Sequence, residues 1–323
     1  MNRTLCVSGF GYAKALIFGE YAVMYGAVGL AVALDVKLRI DMSQISWGED
    51  SHEKNLGAID DVEGLVRSVL LPKISAQIAI DDRFFFDSDD NKYGIGSSAA
   101  SVVAAVQAHL RAVRALNDGD RSVPSLQEWG IRRAIEAHRA IQNGLGSGID
   151  VAASALGGVI LARNCHRQIE IERIPAVHLP PMGIFTMHRR APTLPYIQAA
   201  ERMKSTAEAQ AILRDMHDLY EEMGNEVRQK RHEAFLETIP AHLALLRAWE
   251  KCLGMPILPT EFECIERLAH ECGAVIKTAG AGGGDLLVAF ARDKANIREL
   301  AKKLNALSIS EIPFGIAPER DYP

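Results

Sequence analysis

Gly94-Ile95-Gly96-Ser97-Ser98-Ala99-Ala100 is the stretch on which the reading of this chain turns. Behind it Ala99, Val102, Val103, Val106, Leu110 and Val113 recur at helical spacing, so a long buried helix is predicted to open at the two serines. Glycines directly ahead of a helix let the backbone approach a ligand. The first turn then offers free N–H groups and the positive end of the helix dipole. This combination suits a phosphate group, and a tight turn capped by serine would use the same residues. Neither G-x-x-x-x-G-K-[ST] nor G-x-G-x-x-G fits the stretch. From Gly96 onward it also has the form of the nucleophile elbow G-x-S-x-G with alanine in the last place. The residues ahead, Asp89, Asp90, Asn91, Lys92 and Tyr93, are not the buried apolar strand that an elbow follows.

Upstream of the loop, Thr4 to Val7, Leu16 to Phe18, Ala31 to Ile40 and Ser75 to Ile80 read as strands, with a polar loop from Glu49 to Glu63. Downstream, Asn117 to Pro124 reads as a loop, and Ser125-x-x-Glu128 has the form of a capping box opening a helix that runs to about Ile141 and stops at Asn143-Gly144. A glycine-rich turn leads to Asp150, followed by a short helix from Val151 to Leu156 and a strand from Val159 to Leu161. Ile174 to Pro181 carries Pro175, Pro180 and Pro181, which interrupt both kinds of ladder, so a domain boundary is expected there: residues 1–178 and 179–323. The second half is helix-rich from Pro195 to about Met255. Thr260-x-x-Glu263 predicts another helix start, and Gly273 a helix end. Strands from Ala274 to Lys277 and from Leu286 to Phe290 flank the run Gly280-Ala281-Gly282-Gly283-Gly284-Asp285, and helical spacing returns at Ile297, Leu300, Ala301 and Leu304. The pattern predicts an α+β architecture, with a sheet covered on one face.

Composition narrows the function classes. The chain has 323 residues, enough for two domains, and its 36 Lys plus Arg against 41 Asp plus Glu give a net charge of −5, so there is no basic footprint for nucleic acid. Five cysteines with no C-x-x-C pair fit reduced thiols in a cytoplasm better than a disulfide framework or a zinc site. The apolar run from Ala22 to Leu34 is shorter than the roughly 20 residues of a membrane span. A cytoplasmic protein without a nucleic-acid or membrane partner is expected.

Three more places carry chemistry. Lys14 lies in Ala13-Lys14-Ala15-Leu16-Ile17-Phe18; if buried it needs a charge partner, for which Asp150 and Glu20 are the candidates, and otherwise it lies on a solvent face. Asp150 follows a flexible turn at a helix start, where the dipole favours an ionised carboxylate, and an N-cap role is the commoner one. Gly280 to Gly284 has more glycine than a hairpin requires, and close approach to a ligand accounts for the excess.

Taken together and in this order, Lys14 to Tyr25, Gly94 to Ala100 and Lys277 to Asp285 resemble the three motifs of the GHMP small-molecule kinases, the family that includes galactokinase, homoserine kinase, mevalonate kinase and phosphomevalonate kinase. Lys92 to Ser98, Tyr21, the run Ala137-His138, Gln142, Gly146 to Ala152, and Asp285 are most similar to the phosphomevalonate kinase branch. The resemblance implies a two-domain fold: an N-terminal domain like domain 2 of ribosomal protein S5 and a C-terminal ferredoxin-like α/β sandwich. It implies ATP-dependent phosphoryl transfer with Mg2+ to a small phosphorylated acid, 5-phosphomevalonate, in a monomer or homodimer, with the 5-hydroxyl of mevalonate or another small alcohol as the alternative acceptor. By matched position, Gly94, Ile95, Gly96, Ser97, Ser98, Ala99 and Ala100 would hold ATP, Ser98 the magnesium, and Lys14 and Asp150 would be catalytic. Lys14, Glu20, Tyr21, Ser147, Gly282 and Gly283 would contact the substrate, and Arg189 and Arg190 would clamp its anionic groups. Two departures stand out. Gly11-Tyr12-Ala13-Lys14 replaces the usual Ala-Pro-Gly-Lys, and His138 stands where mevalonate kinases place a magnesium-binding glutamate, with Glu136 on another face of the helix.

Overall fold

The computed structural model describes residues 5–47, 74–87, 92–117, 130–165, 168–189 and 193–320. Five strands make the first sheet: β1 (Val7–Phe18), β2 (Val28–Trp47), β3 (Ile74–Asp81), β4 (Val159–Cys165) and β5 (Gln168–Ile174). Their order is β1-β2-β4-β5, with β3 paired to the outer half of β2, and every pairing is antiparallel. The sequence of β2 records this division. Val28 to Leu34 is buried on both faces, whereas Asp35, Lys37 and Arg39 alternate outward farther along.

Three helices, α1 (Ser97–Leu116), α2 (Ile131–Ile141) and α3 (Ile149–Leu156), cover one face of that sheet. The packing of α1 on β1 is tight. A Cβ on Gly9 would lie 2.0 Å from the Ala104 carbonyl oxygen, and one on Gly11 would lie 2.3 Å from that of Ala100. Backbone therefore meets backbone here, which accounts both for the alanine-rich face of α1 and for glycine at position 11, while a register shift between Tyr12 and Ala13 precedes Lys14.

The second sheet contains β6 (Met182–Thr186), β7 (Ala274–Thr278), β8 (Leu286–Ala291) and β9 (Ser310–Glu311), in the order β7-β8-β6-β9. Around it lie α4 (Thr193–Met203), α5 (Ala207–Arg228), α6 (His232–Leu253), α7 (Phe262–Glu271) and α8 (Lys294–Asn305). One apolar core runs through both sheets. Phe18 at the end of β1 meets Tyr220 at 5.8 Å and Phe235 at 6.4 Å, and Phe235 meets Phe290 of β8 edge-on at 5.2 Å. The chain then returns to the first sheet: Ala317 donates to Ala33, accepts from Gly158, and Arg320 donates to Leu156.

Several expectations change in detail. Val7 and Leu16 to Phe18 belong to one strand, β1, and Thr4 lies outside the described residues. β5, β6 and β9 had no expected counterpart. Thr260 does not cap α7: its hydroxyl donates to Glu261, and no side chain caps the helix start. Gly273, at φ +66°, does follow the end of α7. The expected loop from Glu49 to Glu63 and the capping box at Ser125 lie outside the described residues. All five cysteines are free, and among the described residues no helix is long and apolar enough to cross a membrane.

Candidate active site

Two helix N-termini meet at the centre of the first sheet's helical face. Helix α1 starts from Gly96 and α3 from Gly148, both glycines in the left-handed conformation at φ +84° and +87°, and no side chain caps either helix. The first-turn N–H groups therefore stay available to an anion. Ser98 lies in the first turn of α1 and Asp150 in the first turn of α3, inside the helix and not at its cap.

Lys14 lies across this place. Its backbone N–H donates to Ile95 at 2.8 Å, and its alkyl chain runs so close over Gly96 that a Cβ there would be 2.5 Å from Cε. Any side chain at position 96 would displace the lysine. On the neighbouring side, the carboxylate of Asp285, arriving from the second sheet, rests against Gly94, where a Cβ would be 2.8 Å from Oδ2. The glycines of the loop thus make room for a lysine and an aspartate at its rim.

The two carboxylates are tuned in opposite directions. Burial raises the Asp285 carboxyl to about 6, with the Lys14 charge and the Leu286 N–H opposing it. Burial also acts to raise Asp150, but the charges of His138 and Lys14 and the Val151 N–H at 2.9 Å outweigh it and hold that carboxyl below its ordinary value. Asp150 is thus an ionised carboxylate, 28% exposed, facing a lysine and a histidine. His138 of α2 joins the two helix starts: Nε2 lies 3.1 Å from Ser98 Oγ and Nδ1 lies 3.8 Å from Asp150 Oδ2. Ile131, Ala134, Ile135 and His138 fall on one buried stripe of α2, and a histidine on an apolar stripe is the sequence signal that could have singled it out as a site residue.

The structure brings Lys14, Asp150 and the loop from Gly94 to Ala100 together, but it places other expected contacts elsewhere. Glu20 is corrected: its side chain is fully buried, its partner is Lys277 and not Lys14, and its second oxygen lies 3.6 Å from His242 Nε2. No ligand can reach it. Burial pushes the Glu20 carboxyl up and the Lys277 ammonium down, and their contact opposes both shifts. Tyr21 is likewise buried; its hydroxyl donates to the Ala281 carbonyl of the glycine loop, which makes it a brace for that loop. Ser147 is buried and accepts from the Ile149 N–H at 3.3 Å. The guanidinium of Arg189 is engaged by Glu261 at the surface. Arg190 lies outside the described residues.

The glycine loop has an internal reason for its composition. A Cβ on Gly282 would sit 2.8 Å from the Ile257 side chain and 3.0 Å from its Cα, one on Gly284 would sit 3.0 Å from Pro259, and the Gly283 N–H donates to the Ile257 carbonyl at 3.0 Å. These glycines let the loop lie on the segment at 257–259, which Glu250 of α6 fixes by accepting from the Ile257 and Leu258 N–H groups. Chain packing, not ligand approach alone, accounts for the excess glycine.

A model of the GHMP kinases N terminal domain matches residues 69–158, the span that holds the loop, α1, His138 and Asp150. That part of the chain is similar to the N-terminal domain of the GHMP kinases. Phosphomevalonate kinase of Saccharolobus solfataricus is 23% identical over 316 residues, 90% of this chain and 92% of that protein. Mevalonate kinase of Pyrococcus abyssi is 26% identical, over 90% of this chain and 89% of that protein. Among solved structures, Streptococcus pneumoniae phosphomevalonate kinase in complex with phosphomevalonate and AMPPNP superimposes with a TM-score of 0.71 at 18% identity, covering 96% of this chain and 99% of that one. The two sheets and their helices are thus the GHMP kinase fold.

Proposed function

We propose that this protein is an ATP-dependent small-molecule kinase that phosphorylates the phosphate group of 5-phosphomevalonate, yielding 5-diphosphomevalonate and ADP. The observation that supports kinase chemistry is the convergence of Lys14, the loop from Gly94 to Ala100 and ionised Asp150 at two uncapped helix starts. The loop would bind the nucleotide phosphates through backbone N–H groups. Lys14, lying across Gly96, is placed to offset charge on the transferred group, and positioning with charge neutralisation supplies most of the catalysis of such a transfer. Asp150 would orient the attacking group; an acceptor phosphate is already ionised, so removing a proton is a lesser part of its work. The acceptor reading rests on the resemblance of Lys92 to Ser98 and of Asp285 to the phosphomevalonate kinase branch.

Magnesium fits this set of donors. Among the described residues no group of three or more His, Cys, Asp or Glu could hold a metal ion. Ser98 and Asp150 are two oxygen donors beside an anion cradle, and they suit a small hard cation that takes its other ligands from phosphate and water. When bound it would supply charge neutralisation at the phosphate oxygens.

The second reading, mevalonate as acceptor, is favoured by the mevalonate kinase of Pyrococcus abyssi at 26% identity and by a carboxylate held ionised where a hydroxyl would need a base. Magnesium-dependent ADP release measured in parallel with 5-phosphomevalonate, with mevalonate and with no acceptor decides between them. Turnover with 5-phosphomevalonate alone is expected; turnover with mevalonate alone selects the second reading.

A further inference from the structure

We propose that Asp87, His188 and Ser310 form a second reactive site, in which Ser310 is a nucleophile towards carboxylic esters. The three side chains come from distant places: Asp87 follows the short turn at Arg83–Phe85, His188 follows β6, and Ser310 opens β9. None of them belongs to the cluster of Lys14 and Asp150, so this site stands or falls apart from the kinase reading. His188 Nδ1 lies 2.7 Å from Asp87 Oδ2, and Nε2 lies 3.2 Å from Ser310 Oγ. A carboxylate only accepts, so the proton of a neutral imidazole sits on Nδ1, and Nε2 is left to accept from the Ser310 hydroxyl. Nucleophile, base and orienting carboxylate are thereby in sequence, an arrangement recognised by geometry and not by order along the chain. The Asp87 side chain is 10% exposed and that of His188 28%, while Ser310 is half-buried, so the carboxylate is screened and the other two groups are open to a reagent.

The backbone supports this in two ways. His188 is held at φ +52°, an uncommon conformation for a residue with a Cβ, and its N–H donates to Thr186 Oγ1 at 3.1 Å. Thr186 is the cross-strand partner of Ser310, so one residue pair fixes both the base and the nucleophile. The second feature is a free donor. Ile312 N–H donates to the Ile184 carbonyl, and in an antiparallel ladder bonded and non-bonded pairs alternate, so the N–H of Glu311, opposite Phe185, points away from β6. β9 ends the sheet order among the described residues, and that N–H therefore faces the open edge, one residue after the serine. A backbone N–H in this place can stabilise the oxygen that becomes negative during acyl transfer.

In the first step Ser310 Oγ bonds to the ester carbonyl carbon while its proton passes to His188 Nε2. The bond from that carbon to the alcohol oxygen then breaks, the proton leaves with the alcohol, and the acyl group stays on Ser310. Water next attacks the acyl carbon, gives a proton to Nε2, and that proton returns to Ser310 as the acid departs. One ester and one water thus yield one acid and one alcohol, with nothing oxidised or reduced.

The test treats the whole protein with a fluorophosphonate, which phosphonylates activated serines, locates the adduct by peptide mass spectrometry, and follows p-nitrophenol release from p-nitrophenyl acetate. The adduct is expected on Ser310, and ester turnover is expected to fall to the uncatalysed background in Ser310→Ala. The orienting carboxylate of such an arrangement is worth about 10⁴-fold. Labelling of Ser310 should therefore slow by about a hundredfold or more in Asp87→Asn, and likewise in His188→Asn, since asparagine tolerates the left-handed backbone. A wild type unlabelled at Ser310 overturns the proposal, and the three residues are then only a tie between the second sheet and the chain ahead of the phosphate loop. Labelling at an unchanged rate in both variants overturns the roles of His188 and Asp87. Ester turnover equal in the wild type and in Ser310→Ala overturns the activity. If Asp87→Asn or His188→Asn does not fold by circular dichroism, the wild-type adduct and Ser310→Ala, which loses only a hydroxyl, still decide.

Discussion

Two clusters in this molecule are built from the same three kinds of side chain. Lys14, Asp150 and His138 gather at the helix starts on the first sheet; Lys277, Glu20 and His242 gather between β7, the end of β1 and α6. The first cluster is open: its carboxylate is 28% exposed, and among the described residues no ion pair engages its lysine. In the second, all three side chains are fully buried and the lysine is spent on Glu20 and the Thr278 carbonyl. Burial even drives His242 far below its ordinary value, with the Lys277 charge adding to the effect, so it is neutral. The difference teaches that residue type does not identify a site. Access from solvent does, whereas complete burial marks a frame, even though Glu20 Oε2 and both His242 nitrogens have no hydrogen-bond partner among the described residues.

Substitutions should separate the two. In the proposed kinase Asp150→Asn is expected to lower kcat by about a hundredfold or more, with a smaller loss of stability than a substitution in the buried cluster. A stability loss equal to that of the buried cluster would erase the distinction. Lys277→Met leaves a carboxylate buried without its partner and should cost about 3–5 kcal/mol in urea unfolding, with kcat per folded molecule little changed. Replacing Glu20 by Leu in the same chain should recover most of that loss.

Asp285 gives a prediction with a definite sign. Its folded value of about 6 lies above its ordinary 3.8, so the folded state holds the proton longer, and stability falls as pH rises from about 4 to about 6. Asp285→Asn should be more stable than the wild type at pH 7, by on the order of 2 kcal/mol, with the advantage gone below about pH 4. Equal stabilities at both ends would mean that the carboxylate is not strained against the loop. Tyr21→Phe, which deletes the donor to Ala281, should cost about 1 kcal/mol in thermal unfolding. Arg189→Ala should cost less than about 1 kcal/mol, because its pair with Glu261 is 45% exposed on each side, and turnover should not change. A large rise in KM for that variant would restore Arg189 as a substrate contact.

Local signals were legible in the sequence and distant pairings were not. The glycine loop and the helix behind it could be read because their periodicity and breakers sit side by side, and so could β7 and β8, which flank one turn. β6 and β9 escaped, being short strands whose partners lie far along the chain. Among the candidate site residues, Lys14 and Asp150 were nominated by motif. Glu20 was assigned to the substrate because its true partner stands 257 residues away, a relation no local pattern carries. Gly282 and Gly284 were read as room for a ligand, although the room is filled by Ile257 and Pro259. Arg189 was nominated from charge alone, and its pairing with Glu261 across 72 residues is a relation that the local sequence does not carry.

The return of the chain to the first sheet bears on how the protein is made. Ala317 bonds to Ala33 and Gly158, and Arg320 to Leu156, so the first half of β2 and the turn after α3 are completed by residues synthesised about 280 and about 160 positions later. At a translation rate of roughly 5–20 residues per second, the strand that carries Lys14 waits beside an incomplete neighbour for tens of seconds. The half of the molecule that emerges first from the ribosome is therefore among the last to be finished.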